Sequence, residues 1–300
     1  MHGCNHLQIN IYGDIMGNPP NKDLNYLDYS KDTIEGNTVQ TTFKLQEISK
    51  SDKALKLREE GKLKEALGII DDALKEDFNN FENWNVKGLI LDSSSDFEQS
   101  VECFDNALRL NDSDFIRKNK ANALYNFAKI TFFPDMDYEK AMDLIDEALE
   151  YLPYGEDASE YWFLKAEIFE SLGQPIETRI YYLKAEGEFE KADEISTQRE
   201  FLKDNEDVLI TVSGTNFFKG LEPFEKGVIV NLVKQPDNEH DSDAIGVFLA
   251  DEQVGYVANS PYTLIDGVKS ASEIKFIEDN QKAEVLFIFI ERYVILKLID

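Results

Sequence analysis

The sequence predicts a chain in two parts, an α-helical repeat solenoid followed by a small β-barrel domain. Three observations carry this. Four segments stack on one another: GKLKEALGIIDDALKEDF, SDFEQSVECFDNALRLND, MDYEKAMDLIDEALEYLP and GQPIETRIYYLKAEGEF. Upstream of two of them, Trp84 precedes Gly88 and Trp162 precedes Ala166, an aromatic and a small residue on one helix face. From Val208 the Ala-rich period stops and short Val/Ile/Phe runs broken by Gly, Pro, Asn and Asp take over.

Within the repeats, each segment places a small or apolar residue, a bulky residue four later and Ala three after that. The triplets are Ala66/Ile70/Ala73, Ser100/Phe104/Ala107, Ala141/Ile145/Ala148 and Thr178/Tyr182/Ala185. Their alanines are 34, 41 and 37 residues apart, which fits a helix-turn-helix array of about 34 residues per unit with short insertions. The third unit departs most: ITFFPDMD, 130–137, reads as an inserted loop, and its first helix lacks the aromatic. On these residues, 47–204 resembles the tetratricopeptide repeat (TPR) family, with about four repeats and a capping helix in EGEFEKADEISTQREFLKDN.

Residues 1–46 carry Gly-Asn-Pro-Pro and Glu-Gly-Asn-Thr without helical period and read as a loose tail. His2, Cys4 and His6 alternate there and are metal-ligand types, but a tetrahedral site needs a fourth ligand and a scaffold, so no metal site is assigned. Residues 205–300 form the β domain. Its expected strands are VLITVSG, GVIVNLV, AIGVFLA, QVGYVA, IKFI, AEVLFIFI and YVILKLI, with one helix in SPYTLIDGVKS.

Charge narrows the function classes. The chain holds 31 basic and 59 acidic residues, net −28. Such a surface repels phosphate, which argues against non-specific nucleic-acid or membrane binding and favours basic or neutral partners. Two cysteines rule out a disulfide framework and fit a reducing cytoplasm. The longest apolar run, VLFIFI, is far short of a membrane span, and the N-terminus lacks a signal-peptide pattern. Richness in Asn, Asp, Lys and Ile fits a prokaryotic source. No P-loop, HExxH or GxSxG is present, and the only histidines are His2, His6 and His240, so no enzyme and no cofactor is expected.

The stretch PDNEHDSDAIGV, from Pro236, admits three chemical readings. Asp237, Glu239, Asp241 and Asp243 alternate like the start of a calcium loop, but Ser242 and Phe248 stand where Gly and an acid are needed. Pro236-Asp237 with Glu273-Ile274-Lys275 has the residue types of a magnesium nuclease, in which carboxylates hold metal and a lysine positions water. In the third reading, Asp and Asn side chains bond back to the backbone and shape a turn.

The order GTNFFKG, QPDNEHDSDAIGV, VGYVANS resembles the HIRAN domain, over 208–300. That resemblance implies an OB-like barrel of six strands that grips the 3′ end of single-stranded DNA, in proteins of DNA repair. Carried over by position, the DNA-end residues are Asn216, Phe217, His240, Asp241 and Tyr256. Phe217 keeps a stacking surface and Asp241 an acceptor, whereas the arginine and lysines of DNA-binding members are replaced by Asn216, Ala258 and Asn259. The segment has 8 basic and 15 acidic residues, net −7, leaving Lys219, Lys226 and Lys234 as a local basic spot. In the structural alternative, Phe217 and Phe218 alternate between core and surface and Asp241 only holds its loop.

For the repeats, Trp84 and Trp162 set the phase, and Glu82, Asn85, Asp92, Glu160, Phe163, Glu167 and Glu170 then line the groove of the first helices. This acidic set suits a basic or amphipathic protein or peptide ligand. The sequence therefore predicts a non-catalytic adaptor that holds a protein partner and touches nucleic acid. A pure protein scaffold is the alternative, and a metal-dependent nuclease the outsider.

Overall fold

A computed structural model describes residues 24–31 and 41–299, with side chains from 48 onward. Two strands, β1 (Leu24–Lys31) and β2 (Thr41–Glu47), pair antiparallel within the stretch that the sequence presents as a tail. The Gly-Asn-Pro-Pro and Glu-Gly-Asn-Thr stretches precede and separate these strands in sequence and lie outside the described residues; the two strands themselves were missed. The His2/Cys4/His6 stretch lies outside the described residues.

Helices follow in pairs: α1 (Lys50–Glu59) with α2 (Leu63–Glu76), α3 (Phe81–Ser93) with α4 (Phe97–Leu110), α5 (Asp114–Phe132) with α6 (Tyr138–Tyr151), and α7 (Ser159–Ser171) with α8 (Pro175–Ala185). A last helix, α9, spans Phe189–Asp204. Side-chain caps start several of them. Ser49 accepts from the Asp52 amide, Asn80 from the amides of Glu82 and Asn83, and Asp137 from that of Lys140. The expected insertion at 130–137 is shorter than read, because α5 runs on to Phe132.

The first three triplets form the core of their helix pairs, and all nine residues are buried. Gly88 is required by contact: a Cβ there would lie 2.8 Å from the ring of Phe104, which is itself fully buried. Burial of such a side chain stabilises by about 1.5–3 kcal/mol. Ser100 replaces the expected small apolar residue and satisfies its hydroxyl on the Gly88 carbonyl at 2.9 Å. Trp84 stands edge-on to Phe78 at 5.1 Å and donates its indole N–H to the Phe78 carbonyl.

Lys120, on α5, is buried yet charged. Its ammonium pairs with Asp105 on α4 at 2.7 Å and Glu147 on α6 at 2.8 Å, and lies 3.7 Å from the Tyr151 ring centre. Burial works against the charge, but the hydrogen bonds to Asp105, Glu147 and Tyr151 outweigh it and hold the amine above its ordinary range.

The fourth triplet differs. Thr178, Tyr182 and Ala185 stay half-exposed, while Ile180 and Leu183 are buried instead. The reason lies in what α8 covers. By packing, the chain divides into Met1–Glu156 and Asp157–Asp300, so α7 to α9 fall in the same unit as the barrel. The composition change at 204/205 marks where helix gives way to strand; the packing division comes earlier in the chain.

That barrel comprises β3 (Leu209–Ser213), β4 (Ile229–Lys234), β5 (Ile245–Leu249), β6 (Glu252–Val257), β7 (Gln281–Phe289) and β8 (Tyr293–Ile299). It closes in the order β3-β6-β5-β4-β7-β8, every pair antiparallel. Closure leaves no free strand edge. Ile210, Val212, Val230, Leu232, Val247, Val285 and Leu296 fill the inside. Leu209, Phe289, Tyr293 and Ile295 pack on the other side, in one cluster with Ile180, Leu183, Ala192, Ile195 and Leu202 of the helices. A strand covered on both faces reads as a continuous apolar run, as YVILKLI does.

Two expected elements are absent. IKFI is a turn, not a strand: Ile274 bonds back to the carbonyls of Ser270 and Ala271. Its Ile274 and Ile277 still enter the core, so burial rather than pairing explains their apolar character. SPYTLIDGVKS is likewise a run of turns, tied down where the Lys269 amide donates to the Leu209 carbonyl at 2.7 Å.

Gly267 makes the tightest approach. Its φ is +89°, and a Cβ would lie 1.9 Å from the Leu202 carbonyl oxygen on α9. Gly267→Ala is therefore expected to destabilise the second unit by ~3 kcal/mol, since neither backbone can yield cheaply. Thermal unfolding followed by circular dichroism checks this, and an unchanged Tm refutes the close contact.

Candidate functional site

At the end of β3 the chain turns at Gly214 into a 3-10 turn, Thr215–Phe217. The Phe217 amide donates to the Gly214 carbonyl, and the amides of Phe218 and Gly220 to the Thr215 carbonyl. Thr215 is buried and anchors the turn. Phe217 projects with 91% of its surface exposed. Behind it, the Phe218 ring tilts against Tyr256 at 5.9 Å. Tyr256 sits on β6, opposite Ser213 on one side and Gly246 on the other. Asn216, Phe217 and Tyr256 are thus gathered at one place, with Phe218 as their support. The alternation expected in the structural alternative is not seen, since neither Phe217 nor Phe218 is a buried core residue.

The acidic stretch is a hydrogen-bonded turn leading into β5. Asn238 Oδ1 accepts from the amides of His240 and Asp241. Asp241 Oδ1 accepts from the Asp243 amide at 2.9 Å, and its Oδ2 from Asn259 Nδ2 at 2.8 Å. Asn259 Oδ1 then accepts from the Ser272 amide. Asp243 closes the circuit, accepting from the Ser272 hydroxyl and pairing with Lys275 at 2.7 Å. Both oxygens of Asp241 are therefore used inside the fold, as the turn reading requires. His240 is exposed. Among the described residues no hydrogen bond or ring contact joins His240 or Asp241 to the Phe217 group.

The nuclease arrangement needs Asp237, Glu273 and Lys275 to converge. Instead Glu273 caps Ser270, accepting from its amide and hydroxyl, and pairs with Lys269. Lys275 meets Asp243. No group of three or more His, Cys, Asp or Glu among the described residues is placed to hold a metal ion. Of the basic spot, Lys219 pairs with Glu252, whereas Lys226 and Lys234 carry no ion pair among the described residues. Lys234 ends β4, opposite Ile245.

In the repeats, the first helices are joined side by side. Ser51 donates to Asn83, Asn119 to Asn85 at 2.9 Å, and Asn126 to Asp92 at 3.1 Å. The last two pairs are 34 residues apart and so in phase, and the repeat period itself brings them together. Asn85 is buried by this contact and Asp92 engaged by it; Glu82 is exposed. Separately, on α7, Phe163 stands edge-on to Tyr182 at 5.4 Å, and Glu170 accepts the Tyr182 hydroxyl at 2.9 Å. Burial, then Glu170 and the charge of Glu167, push the Tyr182 phenol up to about 12. Glu160 is exposed and Glu167 half-buried. Sequence reasoning missed Asn119 and Asn126, whose only signal is their 34-residue offset, and assigned Tyr182 to the core.

The TPR family model matches residues 81–114, and the HIRAN domain family model matches 205–286. The chain holds a tetratricopeptide repeat and a HIRAN domain. The matched repeat begins at α3, and the HIRAN match covers the aromatic turn, the acidic loop and β3 to β6. Among solved structures, a MamA crystal structure is 19% identical, covering 48% of this chain and 74% of that one, TM-score 0.34. A structure of Naa15/Naa10 bound to HypK-THB is also 19% identical, covering 51% and 30%, TM-score 0.23. No curated protein matches. No helix among the described residues is long and apolar enough to cross a membrane.

The acidic loop of the HIRAN domain has a defined pH response. Hydrogen bonds from Lys275, then Ser272, hold the Asp243 carboxyl below its ordinary 3.8. A carboxyl lowered by folding stabilises above its unfolded value and loses that contribution as pH falls through the folded one. The Asp243 side-chain carboxyl, followed by carbon NMR, is expected to titrate below 3.8. In Lys275→Ala the midpoint should rise; an unmoved midpoint would show the ion pair to be absent in solution.

Proposed function

We propose that this chain is a non-catalytic cytoplasmic adaptor. Its TPR groove holds a protein segment of basic or amphipathic character, and its HIRAN domain binds single-stranded DNA at a 3′ end, in repair or replication. The exposure of Phe217 above the Phe218–Tyr256 pair carries the nucleic-acid half. An aromatic held by a rigid turn with nine-tenths of its surface in water has no packing role, and base stacking on such a ring contributes about 1–3 kcal/mol. The exposed Glu82 of the first unit, and separately the exposed Glu160 and Phe163 of the second, support the protein half.

A second reading, a protein scaffold without DNA affinity, is favoured by one specific observation. Asp241 spends both oxygens on Asp243 and Asn259, and Lys219 is paired, so few groups remain for phosphate or a terminal hydroxyl.

Fluorescence anisotropy of the full chain with short single-stranded DNA separates the two, comparing a 3′ hydroxyl with a 3′ phosphate at low and physiological salt. The adaptor reading expects binding that prefers the free 3′ end and weakens about tenfold in Phe217→Ala. Absence of binding at low salt leaves the scaffold.

A further inference from the structure

The chain has six arginines, and three of them line one cleft. The cleft lies within the second unit, between the α7–α9 helices, the turn at 261–266 and the β7–β8 hairpin, and is open to solvent with a volume of about 930 Å³. That volume is within the range of small-molecule sites. In a chain of net charge −28, an anion is held best where cations are gathered locally, and here the three arginines share the lining with the carboxylates of Glu170, Glu177 and Asp266.

The three guanidinium groups are not equivalent. Arg199 pairs with the well-sheltered Glu177 at 2.7 Å and forms a fixed wall. Arg179 pairs with Glu291, whose side chain is 79% exposed, so solvent screens that pair and a ligand anion can replace it. Arg292 has no carboxylate partner among the described residues and lies 5.2 Å from the Tyr293 ring centre.

The hairpin that presents Arg292 is strained. Ile290 and Glu291 both have left-handed φ, +46° and +56°. A β-branched residue is an outlier there, since this turn is the natural place for Asn or Gly. Strain of this kind collects at ligand sites. Here it sets Glu291 and Arg292 side by side, and Ile290 and Arg292 both line the cleft. Two further groups complete the chemistry. Tyr262, also lining the cleft, is 91% exposed and offers a flat ring. Asp266 has no ion pair among the described residues and offers acceptors for hydroxyl groups.

The geometry points to a binding site for a small ligand of mononucleotide size, in which Arg292 and Arg179 take an anionic phosphate, Tyr262 stacks on a planar ring and Asp266 accepts from hydroxyls. Binding releases Glu291 to solvent and transfers Arg179 to the ligand. The site is separate from the Phe217 surface and independent of the single-stranded DNA reading.

Isothermal titration of the full chain with AMP, adenosine and inorganic phosphate tests it. AMP is expected to bind below about 1 mM, with adenosine and phosphate each about tenfold weaker. Arg292→Ala should weaken AMP about tenfold, and Glu291→Ala should tighten it by freeing Arg179. Both Arg292 and Glu291 are exposed, so these variants keep the fold. An absence of AMP binding overturns the inference, as does AMP affinity unmoved by both Arg292→Ala and Glu291→Ala. Loss of AMP in Phe217→Ala alone would move the nucleotide to the aromatic turn and likewise overturn it.

Discussion

The second unit depends on the contact of Leu209, Phe289, Tyr293 and Ile295 with Ile180, Leu183, Ile195 and Leu202. A closed barrel of six short strands has a small interior, and β3 and β8 would otherwise expose a row of large apolar side chains to water. The helices cover that row. Their own pattern is set by the same contact, since α8 buries Ile180 and Leu183 where the other repeats bury triplets that place a bulky residue ahead of Ala. The backbone approach of Gly267 to Leu202 shows how close the covering is. Repeat and barrel are distinct in sequence style, yet α8 and α9 serve the barrel as a second wall.

Much of this was legible in the sequence wherever one pattern had one cause. Ala66/Ile70/Ala73 and its two successors are buried because the helix period and the repeat period agree. Six of the seven apolar runs became strands for the same reason: pairing and burial both asked for Val and Ile. IKFI failed because burial alone explains Ile274 and Ile277, and an apolar run does not say whether its backbone is paired. Thr178/Tyr182/Ala185 failed because the partner surface had changed from another repeat to a barrel, and nothing local in α8 records that. β1 and β2 were missed because the turn formers around them were more conspicuous than the strands.

The site divided in the same way. Asn238, Asp241 and Asp243 bond to backbone two or three residues away, so their role could be read from short-range chemistry. The partners Asn259, Ser272 and Lys275 come from 18 to 32 positions further along, and no local rule finds them. Exposure of Phe217 was likewise invisible, because an aromatic pair after a strand reads equally well as core. The arginine cleft needs three segments, around 179, 199 and 292, that share no motif at all.

The rungs between first helices have a mechanical consequence. Asn85 with Asn119, and Asp92 with Asn126, join the same two helices at two points two turns apart. One such bond would act as a pivot. Two attachments oppose rotation of either helix about the other bond, and sliding by a full turn breaks both. The α3 and α5 faces therefore travel as a single plate, and a ligand that seats on one meets the other already in register.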